Sequence, residues 1–205
     1  MITLVLIAVT VLVSWQAFQK RRLYERLVLW PPGVERFRQY DRLLTHGFVH
    51  ADWMHLAFNM ITLYFFGRAV ENVFAQLVGP GMFVLFYLSA IVVAILPSYL
   101  RHRRDAGYVS LGASGAVSAV LFAFVLFDPW NWIIVFVVPV PAVVYAIAYV
   151  GYSYWMDKRG GDNINHSAHL SGALYGLLFM LLLEPRVLLV FLERLASPRG
   201  PGFFG

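Results

Sequence analysis

Leu111-Gly112-Ala113-Ser114-Gly115-Ala116-Val117 opens a stretch that continues to Phe127 without a charged residue and stops at Asp128-Pro129. A surface helix of a soluble domain shows a polar face every three or four residues, and none is visible here. The stretch is also short for a membrane crossing. A helix from Ser114 to Phe127 measures about 21 Å, against a hydrocarbon core of about 30 Å. With Asp128-Pro129 at one interface, Ser114 lies below the other, and the backbone around Gly112 to Gly115 must bridge the remaining depth. Irregular backbone is tolerated at that depth only where it lines protein or a wet cavity, so this reading places a water-accessible serine inside a membrane.

The composition agrees. Of 205 residues, 60% are hydrophobic, 17% aromatic and only 13% charged, and the mean hydropathy is +0.68. Soluble domains run about 45–50% apolar and about 25% charged, so the excess apolar side chains must face lipid. With no Cys, a disulfide framework, a thiolate nucleophile and a Cys-ligated metal are excluded. The formal charge of +5 does not point to nucleic acid. The basic residues form short clusters between apolar runs (Lys20-Arg21-Arg22; Arg101, Arg103, Arg104; Lys158-Arg159), where anionic lipid headgroups are the natural partner.

Outward from the central stretch, further apolar runs lie at about 2–18, 53–74, 80–100, 132–155 and 167–184, which makes six candidate spans with 111–127. The first lacks a basic start and a small-residue cleavage site, so it reads as a retained helix and not as a signal peptide. Residues 20–52 carry seven Lys/Arg together with Trp30, Pro31 and Pro32, and read as a partly structured interfacial segment. The tail from Pro185 reads as a short amphipathic surface helix and a frayed end. The expected fold is therefore an all-α membrane protein, a six-transmembrane-helix bundle over residues 1–184, with a flexible tail at 185–205.

Polar residues at membrane depth are expensive and tend to mark function. In the second span His55 and Asn59 stand four apart on one face, preceded by His46 and His50. The His-Glu-x-x-His signature is missing, so no metal and no other cofactor is expected. In the sixth span Ala168, Gly172 and Gly176 form a small-x-x-x-small seam, with His169 beside it. Such seams bring helices close together. Packed against the fourth span, the seam would carry the His169 imidazole within reach of the Ser114 hydroxyl, the nucleophile-and-base pairing that serine acyl transfer requires. The acids Glu71, Asp105, Asp128, Asp157 and Asp162 sit at span ends or in loops and read as solvated or structural.

Together these motifs resemble the rhomboid family of intramembrane serine proteases: His50-x4-His55-x3-Asn59, Gly112-x-Ser114-Gly115, Ala168-His169-x-x-Gly172-x-x-x-Gly176, and the Gly67 to Glu71 ending of the second span. The resemblance covers the six-span core and implies a six-helix rhomboid-like bundle. It also implies that Ser114 is the nucleophile and His169 its general base, a dyad without an aspartate. The oxyanion hole would consist of His55, Asn59 and the Ser114 N–H, with His50, Gly112, Gly115, Gly172 and Gly176 as structural support. The implied substrates are single-span or multi-span membrane proteins, cut within or beside a transmembrane segment.

Two positions depart from the pattern. The family often places a tyrosine four residues after the nucleophile, where it stacks on the catalytic histidine; here that residue is Ser118, and another group must orient His169. The Trp-Arg pair typical of the first loop is not evident between Phe18 and His46. Family topology implies a cytoplasmic amino terminus and an active site open to the exterior of a plasma membrane, although the positive-inside rule applied to the basic clusters points the other way. Residues 157–165, with Gly160-Gly161 and the adjoining Trp155-Met156, read as a cap or gate. The competing readings are a non-catalytic rhomboid-like protein that binds membrane clients, and a small transporter or metal-binding channel built on His46, His50, His55 and His169.

Overall fold

A computed structural model describes residues 1–135 and 137–198. The chain is mostly helical. Helix α1 (Ile2–Gln19) leads into short helices α2 (Arg21–Leu27), α3 (Pro31–Phe37) and α4 (Arg42–Thr45), then a 3-10 turn at His46–Phe48. Next come α5 (Trp53–Thr62), a π-helical turn (Leu63–Gly67) and α6 (Arg68–Leu77), followed by α7 (Gly81–His102) and α8 (Ser114–Phe127). A two-stranded hairpin, β1 (Trp132–Val135) and β2 (Val138–Pro141), precedes α9 (Ala142–Arg159), α10 (His166–Leu183) and α11 (Val187–Leu195).

Helix α8 is the axis of the molecule. Every residue from Gly115 to Leu126 is buried, so its uniformly apolar surface is explained by protein packed around it and not by lipid. Helix α10 crosses it at backbone contact. A Cβ placed on Gly172 would lie 2.0 Å from the Gly115 carbonyl oxygen, and one on Gly176 would lie 2.1 Å from the Ala119 carbonyl oxygen. The seam expected on the sixth span is therefore the α8–α10 interface, and only glycine permits it. Around this crossing, Phe74, Phe83, Phe86 and Tyr87 fill a fully buried core.

Among the described residues, three helices are long and apolar enough to cross a membrane, namely α1, α7 and α10, and α8 is a shorter apolar helix. The remaining expected spans take other forms. The second is continuous from Trp53 to Leu77 but passes through the π-helical turn. There Gly67 packs against Leu63 and Thr3, and Phe66 lies 5.0 Å from Phe124 of α8. The fifth run, expected to be one span over 132–155, is corrected. Trp132–Val135 and Val138–Pro141 pair as an antiparallel hairpin, with Trp132 opposite Pro141 and Val135 opposite Val138, and the helix begins only at Ala142. Pro139 and Pro141 deny a helix its backbone donors, and the β-branched Ile133, Ile134, Val135, Val138 and Val140 favour extended chain.

Residues 20–52 are more ordered than expected. Arg42, only 5% exposed, donates from Nη1 to the Glu25 and Val28 carbonyls at 2.8 and 2.6 Å, and from Nε to Gln39 at 2.6 Å. Trp30 donates to the Ala106 carbonyl at 3.0 Å. These contacts hold the loop without the family's Trp-Arg pair. Glu71 is structural, as expected: its carboxylate accepts from the Ile2 and Thr3 N–H groups and from the Thr3 hydroxyl at 2.7, 2.9 and 2.6 Å, satisfying the orphan donors at the start of α1. The tail does hold a short helix, α11, whose last carbonyl accepts from Trp130 at 3.2 Å. The expected frayed end beyond Pro198 lies outside the described residues.

Candidate active site

Ser114 is the first residue of α8, so its own N–H and the next two are unclaimed by the helix: the first closed turn joins the Val117 N–H to the Ala113 carbonyl. The preceding loop is clamped to present that end. Leu29 and Ser110 exchange both backbone hydrogen bonds, at 2.9 and 3.0 Å, and the Gly112 N–H donates to the His46 carbonyl at 3.0 Å. Gly112 has φ +108°, a conformation that glycine alone adopts without strain. Its missing side chain is occupied in effect by His55, whose Cε1 lies 2.7 Å from where a Cβ would stand.

His169 lies in the first turn of α10, and its Nε2 is 2.8 Å from the Ser114 Oγ. The start of α10 is set by Asn165, whose side-chain oxygen accepts from the Ala168 N–H at 3.0 Å and from the Ser98 hydroxyl at 2.7 Å, while its amide donates to Tyr108 and Ser110 at 2.9 and 3.1 Å. One side chain thus ties α7, the loop before α8 and the helix carrying His169. A small cavity lined by His46, Ser110, Gly112, Ser114 and Asn165 adjoins the serine.

His50, fully buried, supports the site from behind. Its Nε2 accepts the Ala113 N–H at 3.3 Å, and its Nδ1 lies 2.9 Å from the Ser14 hydroxyl, which itself donates to the Phe48 carbonyl at 2.9 Å. Since Ser14 has one proton to give and Nε2 is accepting, the neutral ring carries its proton on Nδ1. Both nitrogens are thereby used within the protein, which removes His50 as a metal ligand. Among the described residues no group of three or more His, Asp or Glu side chains is disposed to hold a metal.

His55 stands 4.9 Å from the His50 ring, edge to face, and in the first turn of α5, where Asp52 caps the helix by accepting the His55 N–H at 2.8 Å. Asn59 is buried on the same face, but its amide donates to the His55 carbonyl at 2.9 Å. Gly115 lies against Ala94, where a Cβ would come within 2.6 Å. Of the expected residues, His169 thus touches Ser114 itself, His50, His55 and Gly172 touch its neighbours Ala113, Gly112 and Gly115, Gly176 packs one turn further along α8 on Ala119, and Asn59 is bonded within its own helix. The sequence did not single out Tyr149 of α9, whose ring stacks on His169 with centroids 5.8 Å apart and planes 22° apart, or Ser14 behind His50. The only sequence signal for Tyr149 was the missing tyrosine at Ser118.

At the end of the molecule where α9 meets α10, Asp157 pairs with Arg101 at 3.3 Å and Asp162 accepts from the His166 ring at 3.1 Å. The hydrogen bond from His166 holds the Asp162 carboxyl below the usual carboxylate range. Asp157 and Asp162 thus both have partners within the protein, which fits the structural half of their reading from the sequence. Gly160 and Gly161 both have positive φ, 64° and 108°.

A hydroxyl and a neutral imidazole in hydrogen-bond contact, beside free backbone donors at a helix N-terminus, form an arrangement suited to acyl transfer. Residues 38–186 match the model of the Rhomboid domain. The chain is 28% identical to RHOMBOID-like protein 12, mitochondrial, of Arabidopsis thaliana, over 80% of this chain and 52% of that protein. It is 34% identical to Rhomboid-like protein 11, chloroplastic, of the same plant, over 72% and 54%. With Rhomboid protein 1, mitochondrial, of Saccharomyces cerevisiae it shares 32% identity over 67% and 40%. The protein belongs to the rhomboid family, and the chain spans about half the length of the first of these relatives.

Proposed function

We propose that this protein is an intramembrane serine endopeptidase that cuts other membrane proteins within or beside a transmembrane segment. The observation that carries the reading is the 2.8 Å contact between Ser114 Oγ and His169 Nε2, made across the close crossing of α8 and α10. Ser114 attacks the scissile carbonyl while His169 takes its proton. The imidazolium then protonates the leaving amine, and water, activated by the same ring, releases the acyl group. The tetrahedral oxyanion is held by the Ser114 N–H, by His55 and by Asn59, whose amide must turn from its own helix carbonyl to do so. Removing one such donor in a serine protease costs about 2.7–4 kcal/mol of transition-state stabilisation.

A helical substrate satisfies its backbone internally, so the segment cut must unwind, and small or helix-breaking residues near the membrane surface favour that. The partners are thus single-span or multi-span membrane proteins in a lipid bilayer, with access past α9 and residues 157–165. The relatives' names place them in mitochondria and chloroplasts, and the plasma-membrane expectation is set aside.

The test offers purified protein in liposomes a single-span substrate with small residues near one end of its span, beside the Ser114→Ala and His169→Ala variants. Cleavage by the parent alone, with Ser114 labelled by a serine-reactive fluorophosphonate, is the expected result. Parent protein that is folded but takes no label, or cleavage that survives Ser114→Ala, overturns the proposal in favour of a client-binding member of the family or a different nucleophile.

A further inference from the structure

Ser118 occupies the next turn of α8 after Ser114 and is 3% exposed. Its hydroxyl donates to the Ser114 carbonyl at 2.8 Å and is also in hydrogen-bond contact with the Tyr149 hydroxyl. A serine hydroxyl has one proton, so with that proton on the Ser114 carbonyl, Ser118 accepts from Tyr149. The chain of donors runs Tyr149 to Ser118 to the backbone of the nucleophile. The other end of the same tyrosine is the ring that stacks on His169. His166, on the same helix as His169, covers the imidazole from another side, with centroids 5.8 Å apart and planes at 77°.

Backbone placement alone does not align a histidine. The torsion that turns the imidazole about its Cβ–Cγ bond is broad, so a face contact is needed to hold Nε2 on target. We propose that Tyr149 is the positioning residue for His169 and that Ser118 is its tether, so that α9 and α8 together supply the aromatic face. The proposal rests on the reading of Ser114 and His169 as the reacting pair and deepens it. Where the family often carries the ring on α8 itself, here α8 keeps only a hydroxyl and α9 brings the ring to it. The alignment of the base then depends on how α9 sits. The rest of that helix lies at the periphery, with Ile147 70% and Tyr154 59% exposed.

The experiment uses full-length protein in detergent, with 13C-labelled histidine and the His169 ring signal assigned by its loss in His169→Gln. Two quantities are read in each variant: the His169 chemical shift, which senses the ring current of Tyr149, and the rate at which a fluorophosphonate labels Ser114. Tyr149→Leu is expected to move the signal toward that of an unstacked imidazole and to slow labelling about tenfold, the scale of one aromatic pair. Tyr149→Phe and Ser118→Ala keep the ring and remove the tether. Each is expected to show a smaller change, and the double variant no more than either alone, since both remove the same contact. Tyr149→Ala combined with Ser118→Tyr returns a ring from α8 and is expected to recover both readouts.

For peptide cleavage, kcat falls and KM holds in the ring-less variant. A Tyr149→Leu protein with the parent's His169 signal overturns the proposal, and so does a rate loss that follows thermal stability alone while the signal stays put. If Tyr149→Leu does not fold, Tyr149→Phe and Ser118→Ala decide by their non-additivity. A parent protein that takes no label but shows a Tyr149-dependent His169 signal supports the positioning contact while overturning the protease reading.

Discussion

The α8–α10 crossing and the α9 edge contribute to the same site in opposite ways. At the crossing, backbone meets backbone: Gly172 and Gly176 sit against the carbonyls of Gly115 and Ala119, and α8 is buried from Gly115 to Leu126. At the edge, α9 buries only Ala142, Ala146 and Ser153, follows a hairpin and ends in Gly160-Gly161 with open space around both. The Ser114–His169 contact comes from the first region, and the Tyr149 ring that stacks on His169 comes from the second. The contact between the two side chains is thus placed where the packing is tightest.

Matched glycine substitutions test that contrast most sharply. Gly172→Ala adds one methyl at a point 2.0 Å from a carbonyl oxygen. It is expected to force the helices apart, costing about 3 kcal/mol or more in stability and abolishing labelling of Ser114, as read by thermal melting and by fluorophosphonate. Gly161→Ala adds the same methyl with nothing within 4 Å but at φ +108°. The expected cost is about 1 kcal/mol, from backbone strain alone, with labelling retained. Equal effects at the two sites would erase the contrast.

The smallest effect concerns acid. The folded Asp162 carboxyl is held below its ordinary value of 3.8 by His166, so its contribution to stability is fully present above that value and is lost as the pH falls through the folded pKa. Asp162 is also well solvated, so melting temperatures of parent and Asp162→Asn are expected to differ slightly at pH 6 and to converge at pH 3. A gap that widens on acidification would contradict the assignment of that ion pair.

Much of the site was legible because the relevant information is local. The charge-free run ending at Asp128 gives a helix too short for the bilayer, and Ser114 is where α8 begins. The Ala168, Gly172 and Gly176 seam announces close approach, and the observed partner is α8. The hairpin was not legible: residues 132–141 are as apolar as a span, and an apolar run does not tell strand from helix by periodicity. The π-helical turn at Leu63–Gly67 likewise leaves no periodic mark, since one added residue per turn shifts the face without changing the composition.

What the sequence determined by itself is the apolar solvent, the short apolar helix that starts near Ser114 and the faces that must touch, because hydropathy and side-chain size are properties of neighbouring residues. What the tertiary structure decided is which distant groups complete those faces. Tyr149 reaches His169 and Ser118 from another helix, Arg42 finds the Glu25 and Val28 carbonyls, and Ser14 sets the proton of His50. Each of these depends on where one element docks on another, and docking is settled by the packing of the whole buried surface, which no single stretch of sequence contains.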